Sequence, residues 1–509
     1  MATGLLADVL ARVQVPALAL LFALLLLRAA LRIVQRQRVP LPPGPPGRWF
    51  EPGPKAPLRY AELAKTYGPV FAFRRGGQLV CIINSYKDAV EIMQKRGADL
   101  ADRPDFIAAG DFLSGGMRTL LVGAGERVRR LRRALHSQLQ PTAAVQHKPV
   151  QFRAALDLVL DVLHDPADHL NHTKRFAASL ILTMTYGKTT PTRYSDAEVR
   201  EINVHTTRLG TVVPAGLHAV DRHPVLRHVP PATATLRRWH REELALFTRM
   251  VDGVRKDVRE HVARPSFTTY LLEHQEEYGL SDDELAYLAG SMFGAGSDST
   301  ATAISFVMMA AATHPQAQAQ VQAQLDSVVG RDRGERLPTF DDEKLLPLVV
   351  AFYLETLVWT HATIGFAHRA TSDIVWNDYV IPAGATVFGN HWAIGHDETV
   401  FSDPDVFRPS RWLDEAGKLR DDISPFTYGF GRRVCVGQHV ANNSLFINTA
   451  LLLWAFNIRE DPKVSIDTMG FTDSGTVRVL PFHVQFHPRI EHLREIVESS
   501  MPEDVYSAA

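Results

Sequence analysis

Only two of the 509 residues are cysteine, and one of them stands in the decapeptide Y-G-F-G-R-R-V-C-V-G, Tyr428 to Gly437. With so few thiols, Cys435 has no partners for a cysteine-rich zinc cage, and the chain has no disulfide framework. Three glycines crowd Cys435, and glycine serves where a backbone turns tightly or approaches a bulky ligand. The mostly apolar run Val440 to Phe456 follows and predicts a buried helix. Cys435 then sits at a helix N-terminus, where unpaired amides and the helix dipole favour a thiolate. Arg432 and Arg433 bring cations beside it. One sulfur in a glycine-rich loop, with guanidinium groups at hand for the carboxylates of a flat cofactor, suits axial ligation of haem iron. The plain alternative is a buried structural cysteine.

The second cysteine, Cys81, lies in the strand-like run Q-L-V-C-I-I-N and reads as a small buried hydrophobe. The chain is 46% hydrophobic and 22% charged, as expected of a globular enzyme with a large core. Its 55 basic and 56 acidic residues give a net charge of -1, which argues against nucleic-acid binding.

Residues Val13 to Leu27 are almost wholly apolar, and Arg28, Arg32, Arg36 and Arg38 follow. A membrane helix needs about 20 apolar residues, so the span is marginal in length. The basic residues lie after the apolar run and no small-residue cleavage site stands out, which favours an uncleaved anchor over a signal peptide or an interfacial segment. Next comes P-L-P-P-G-P-P-G, Pro40 to Gly47, which cannot be helix or central strand and reads as a stiff spacer. The organisation expected is an anchor over 1–39, a hinge over 40–47 and one catalytic domain over 48–509.

Within that domain, a short helix after Tyr60 leads into F-A-F-R and L-V-C-I-I-N, joined at Gly76-Gly77 as a hairpin. Gly125 to Gln140 is a strongly basic helix, whose charges by themselves imply only a solvated face. Ala154 to Tyr278 is helix-rich, with a break at Val213 to Val229 whose histidines are too irregularly spaced for a metal site. Leu285 to Ala312 is long enough to span a membrane, but Asp298 in mid-run would be costly in lipid, so a buried central helix is expected. Inside it, A-G-S-D-S-T (Ala295 to Thr300) combines small residues, a carboxylate and hydroxyls. Its glycine and its Ser and Thr are expected to disturb the helical ladder locally. Asp298 with Ser299 and Thr300 offers groups that hold water and pass protons. Taken alone, the same hexapeptide reads as packing and back-bonding.

The cysteine loop resembles the haem-binding loop of the cytochrome P450 family, F-x-x-G-x-R-x-C-x-G, matched by Gly431, Arg433, Cys435 and Gly437, with Tyr428 in place of Phe. A-G-S-D-S-T resembles that family's A-G-x-D-T-T, with Ser299 in the Thr register. F-Y-L-E-T-L-V-W-T (Phe352 to Thr360) resembles the helix carrying E-x-x-R, with Glu355 as its acid. F-R-P-S-R-W supplies the downstream partner Arg411. The resemblance implies a mainly α fold with small β-sheet regions around haem b, and Cys435 as the axial thiolate. It also implies Arg433, Arg132 and His368 at the propionates, Asp298, Ser299 and Thr300 at the oxygen side, and Glu355 with Arg411 as structural support.

Two positions depart from the family pattern. Val128 stands where the basic helix usually carries Trp, removing an indole donor and predicting weaker haem retention. Val358 replaces the Arg of E-x-x-R, and an unpaired Glu355 would cost about 3 to 5 kcal/mol. Restoring Arg at 358 is expected to improve haem retention. The activity implied is insertion of one oxygen atom into a hydrophobic small molecule, within the secondary metabolism of a fungal microsomal system. A separate NADPH-cytochrome P450 reductase would donate electrons, since no flavin or nicotinamide motif occurs. The catalytic domain would face the cytoplasm from the endoplasmic reticulum. Two alternatives stand beside it, a non-oxidative haem-thiolate isomerase or dehydratase and a degenerate member acting as a scaffold.

Overall fold

The computed structural model describes residues 39–502 other than 48, 189, 191, 215–217, 331–335, 360–364 and 476. The apolar run proposed as an anchor lies outside the described residues. Among those described, no helix is long and apolar enough to cross a membrane. Ten described helices run ten residues or more: α1 Ala56–Tyr67, α2 Glu126–Leu139, α3 Lys148–His164, α4 His169–Tyr186, α5 Ala197–Val212, α6 Pro230–Arg259, α7 Asp282–Thr313, α8 Pro315–Val329, α9 Pro347–Trp359 and α10 Gln438–Ala455.

The middle of the molecule is α7. It starts at a capping box, in which the Ser281 side chain accepts from the Glu284 amide and Glu284 returns to the Ser281 amide, with three acids in the first turn. Tyr287, Phe293 and Phe306 on it are wholly buried. Its glycines are notches into which neighbouring helices seat. A Cβ at Gly290 would lie 2.1 Å from Phe247 of α6, one at Gly296 2.6 Å from Ile181 of α4, and one at Gly294 3.3 Å from Ile202 and Thr206 of α5. The disturbance expected at A-G-S-D-S-T is absent, because α7 runs unbroken through it and Gly296 serves the contact with α4 instead.

The described strands form three small sheets, one of four strands and two of two. β1 (Val70–Arg75) and β2 (Gln78–Ile83) form the predicted hairpin, antiparallel with Ala72 opposite Cys81, and Gly76 takes φ 61° at the turn. β2 is extended by a parallel partner, β6 (Thr386–Gly389), and β6 by β3 (His368–Arg369). β4 (Ile374–Trp376) and β5 (Tyr379–Ile381) form a second hairpin around Asn377 at φ 48°. β7 (Phe456–Glu460) pairs with β8 (Val484–Pro488). Between them, 470–480 folds back on itself, with the Thr472 amide on the Arg478 carbonyl and the Leu480 amide on that of Gly470.

The proline-rich segment is laid down on this sheet layer. The Pro43 carbonyl accepts from the Ala72 amide at 2.8 Å and that of Pro40 from Val380 at 2.9 Å. Gly44 lies so close to the Ala72 carbonyl oxygen that a Cβ would come within 1.8 Å of it. A second fastening crosses the helical side. Buried Arg118 sits 2.5 Å from Glu243 of α6, and the Tyr287 hydroxyl of α7 donates to the same carboxylate. This network pins the segment before α2 to the two longest helices.

Candidate active site

Cys435 follows a short 3-10 turn, Gly431–Arg433, and precedes α10, whose N-cap is Gly437. The loop is closed by the Cys435 amide donating to the Tyr428 carbonyl at 2.9 Å, while the Tyr428 hydroxyl donates to Asn442 Oδ1 at 2.6 Å. It is seated on the end of a π-helical turn, Ala89–Gln94. Gln94 Oε1 accepts from the Gly431 amide at 2.9 Å, and Gly97 meets Gly431 so closely that a Cβ on either residue would fall under 3 Å from the other's Cα. Glycine at 431 also carries φ 51°.

Cys435 is exposed at its surface, yet burial pushes its thiol up, against the opposing pull of the Gly437 amide and Arg132. The sulfur is thus open locally and enclosed at longer range. The expected bias toward thiolate from the helix start is therefore outweighed by desolvation, and a metal cation would be needed to displace the proton. The same kind of opening occurs on α7, which packs along α10. Ala295 and Ser299, one turn apart on an otherwise buried stretch, are both exposed. The Ser299 hydroxyl donates to the Ala295 carbonyl at 2.8 Å, which leaves its oxygen free to accept. Thr300 is half-buried next to it.

Asp298 turns away from its neighbours' opening and pairs with Arg478 at 2.8 Å. Ser299 and Asp298 are adjacent in sequence and diverge in space, as successive helical residues must.

On another flank of the Cys435 loop, buried cations converge. Arg433 donates to the carbonyls of Ala101 and Val122, each at 2.6 Å. Arg132 donates to the Val434 carbonyl at 2.7 Å. Arg103 donates to the carbonyls of Leu120 at 3.0 Å and Ala367 at 2.6 Å, and His368 Nδ1 to that of Leu100 at 2.7 Å. Burial pushes Arg103 down to about 9 and Arg433 to about 10, with repulsion from the neighbouring arginines adding to it. His368 is pushed down to about 3 by burial and then by Arg103. The carboxylate acting on them, Asp102, is already engaged by Arg369 at 2.7 Å and the Ala124 amide at 2.6 Å. Arg103 and Arg433 share this one carboxylate and Arg132 lies beside them, so the three guanidinium groups form a cradle with surplus positive charge, suited to the carboxylates of a dianionic cofactor. The exposed Cys435 and this cradle together fit a haem.

Sequence reasoning missed Arg103. Its only signal was the following Pro104, which holds an arginine in extended backbone and away from helix. Gln94, Gly97 and Arg478 were missed as well, because each acts through contacts more than 170 residues away along the chain.

Beneath the loop, Glu355 pairs with Arg411 even though Val358 stands in place of a second cation. Glu355 is not left unpaired: its Oε1 accepts from Arg411 Nε at 2.9 Å and the Arg408 amide at 2.7 Å, and its Oε2 from the Trp412 indole at 2.8 Å. Burial pushes its carboxyl up, and these donors pull it back. Val358 is buried in an apolar cluster with Ile394, Phe401 and Trp412, and Gly395 backs directly on it. Val128 is buried too. On α2, Arg130 is taken up by Glu284 and the Gly279 carbonyl, whereas Arg133 is exposed.

The sequence model of the family described as Cytochrome P450 matches residues 45–486, so this chain belongs to the cytochrome P450 family, whose members are haem-thiolate enzymes. It is 52% identical over 480 residues to cytochrome P450 monooxygenase 88 of Postia placenta, covering 93% of this chain and 96% of that one. It is 50% identical to cytochrome P450 monooxygenase 113 of the same fungus, covering 92% and 95%. It is 30% identical to cytochrome P450 monooxygenase fogE of Aspergillus ruber, covering 89% and 87%.

Proposed function

We propose that this enzyme inserts one oxygen atom from dioxygen into a hydrophobic small molecule, with Cys435 as the thiolate that would hold the haem iron. The observation that carries this is the exposed Cys435 beside the cluster of half-buried Arg132 and buried Arg103, Arg433 and His368. When bound, the haem supplies dioxygen activation, with electrons delivered by a separate NADPH-dependent reductase.

The chain's residues do the rest. The Gly431 turn, held by Gln94 and Gly97, aims the sulfur; Arg103, Arg132 and Arg433 would hold the haem propionates, with His368 packed beside them. On the other wall, Ala295 leaves room and the Ser299 oxygen is free to accept a hydrogen bond from a water, with Thr300 beside it. Asp298, paired with Arg478, faces away from that water, so its part in supplying protons runs through intervening waters. Three donors on Glu355 fix the segment 403–412 beneath the loop.

The apolar run at 13–27 with its following arginines supports an N-terminal membrane anchor. The catalytic domain would then sit at the cytoplasmic face of the endoplasmic reticulum, with a role in fungal secondary metabolism. Retention of both a carboxylate and a hydroxyl in A-G-S-D-S-T favours oxygen insertion over rearrangement or dehydration. The test is turnover of apolar candidate compounds with a reductase supplied. Product containing one atom of labelled oxygen per turnover is expected, and product without label would overturn the reading.

A further inference from the structure

Tyr428 is the one position of the cysteine loop that departs from the pattern F-x-x-G-x-R-x-C-x-G, and the atom it adds has a partner. Its hydroxyl donates to Asn442 Oδ1 on α10 at 2.6 Å, while its carbonyl accepts from the Cys435 amide at 2.9 Å. Cys435 lies midway along the chain between Tyr428 and Asn442. One residue therefore spans the loop, from its entry to the second turn of the helix that leaves it.

The other ties act on the entry side of the sulfur. Gln94 and Gly97 seat Gly431, Arg132 takes the Val434 carbonyl, and Thr427 Oγ1 donates to the Leu357 carbonyl of α9 at 3.1 Å. On the far side, among the described residues, the side chains that bond to the first two turns of α10 from outside it are those of Gln151 and Tyr428. Gln151 Nε2 donates to the Val440 carbonyl at 2.8 Å. Burial holds the Tyr428 hydroxyl well above its usual range, with the charges of Tyr353 and Cys435 adding to this, so the group stays a donor. A phenylalanine would fill the same ring space and leave Asn442 without this donor.

We propose that Tyr428 is a positioning residue for the sulfur: its hydroxyl clamps the start of α10 to the entry of the loop, so that Cys435 is held from both flanks. This rests on the assignment of Cys435 as the thiolate that holds the haem iron. A sulfur leaves its metal by a movement of the loop that carries it, and a loop pinned mainly on its entry side swings through its other end. The clamp opposes that swing. Phenylalanine is the family's usual residue here, so the variant lacking only the hydroxyl keeps the packing and the fold.

The experiment uses the full, haem-loaded chain, reduced under carbon monoxide. The thiolate band is followed under mild heating as it gives way to the spectrum of the form whose sulfur has left the iron. Tyr428→Phe and Asn442→Ala are each expected to speed this decay about fivefold, the factor set by one neutral hydrogen bond. The double variant is expected to decay no faster than the quicker single, because both remove one interaction. The unfolding midpoint of Tyr428→Phe by far-ultraviolet circular dichroism is expected to stay close to that of wild type. Decay at the wild-type rate in either single variant, effects that add in the double, or a Tyr428→Phe midpoint that falls in step with the band would each overturn the clamp. A wild-type band with unchanged decay in Tyr428→Phe overturns only the clamp, whereas a wild-type protein without the thiolate band overturns the haem-thiolate reading itself.

Discussion

At the scale of single residues, the side chain that departs most from the family pattern changes meaning once its surroundings are seen. Val358 replaces the cation that the family motif sets one turn from Glu355, yet Arg411, the Trp412 indole and the Arg408 amide already occupy the carboxylate. Valine instead fills an apolar site with Gly395 against its back. Val358→Arg is therefore expected to overpack that site and lower stability by about 1 to 3 kcal/mol, contrary to the gain in haem retention that the motif alone implies. Thermal unfolding and haem content of the variant check this; a rise in both would restore the motif-based view. Cys435 was legible from composition and its glycines, because a lone thiol in such a loop has few other uses. Arg103 was not, since its role depends on carbonyls at positions 120 and 367 that only the fold brings to it.

At the scale of elements, the Cys435 loop depends on what it rests upon. Gly97, at the end of the turn after Ala89–Gln94, touches Gly431 backbone to backbone. No flexible atom there can move aside for a Cβ. Gly97→Ala is expected to push the loop from its seat and lower haem occupancy at least several-fold, while α7 and its core stay folded. The ratio of haem to protein absorbance, set beside far-ultraviolet circular dichroism, reads the two effects apart; full haem content would contradict the seating argument. Helices and hairpins were largely readable here. Long apolar runs marked α7 and α10, the family resemblance marked α9, and Gly76-Gly77 marked a turn that formed. What periodicity cannot give is which helix lies against which. The notches at Gly290, Gly294 and Gly296 assign neighbours to α7, whereas in sequence the last of these looked like a break in the helix.

At the scale of the whole molecule, two properties follow. The first is pH dependence. His169 at the start of α4 is packed against Phe482 and Phe486, and burial pushes it down from its ordinary 6.5 to about 4. The unfolded chain gains a proton as pH falls through 6.5, and the folded chain only near 4. Its contribution is thus fully present above 6.5 and shrinks below it, by about 2 kcal/mol at pH 5. Denaturant unfolding at pH 7 and pH 5 is expected to show a smaller loss on acidification in His169→Phe than in wild type; equal losses would mean that this histidine is not desolvated. The second is the central one, that the fold exists to present a single sulfur to iron. It is tested most directly by the difference spectrum of the reduced protein with carbon monoxide, for wild type and Cys435→His. Wild type is expected to give the red-shifted band of a thiolate-ligated adduct, and the variant to lose that band while still binding haem through the arginine cradle. A wild-type protein without haem or without the thiolate band, or a variant that keeps the band, would contradict the account.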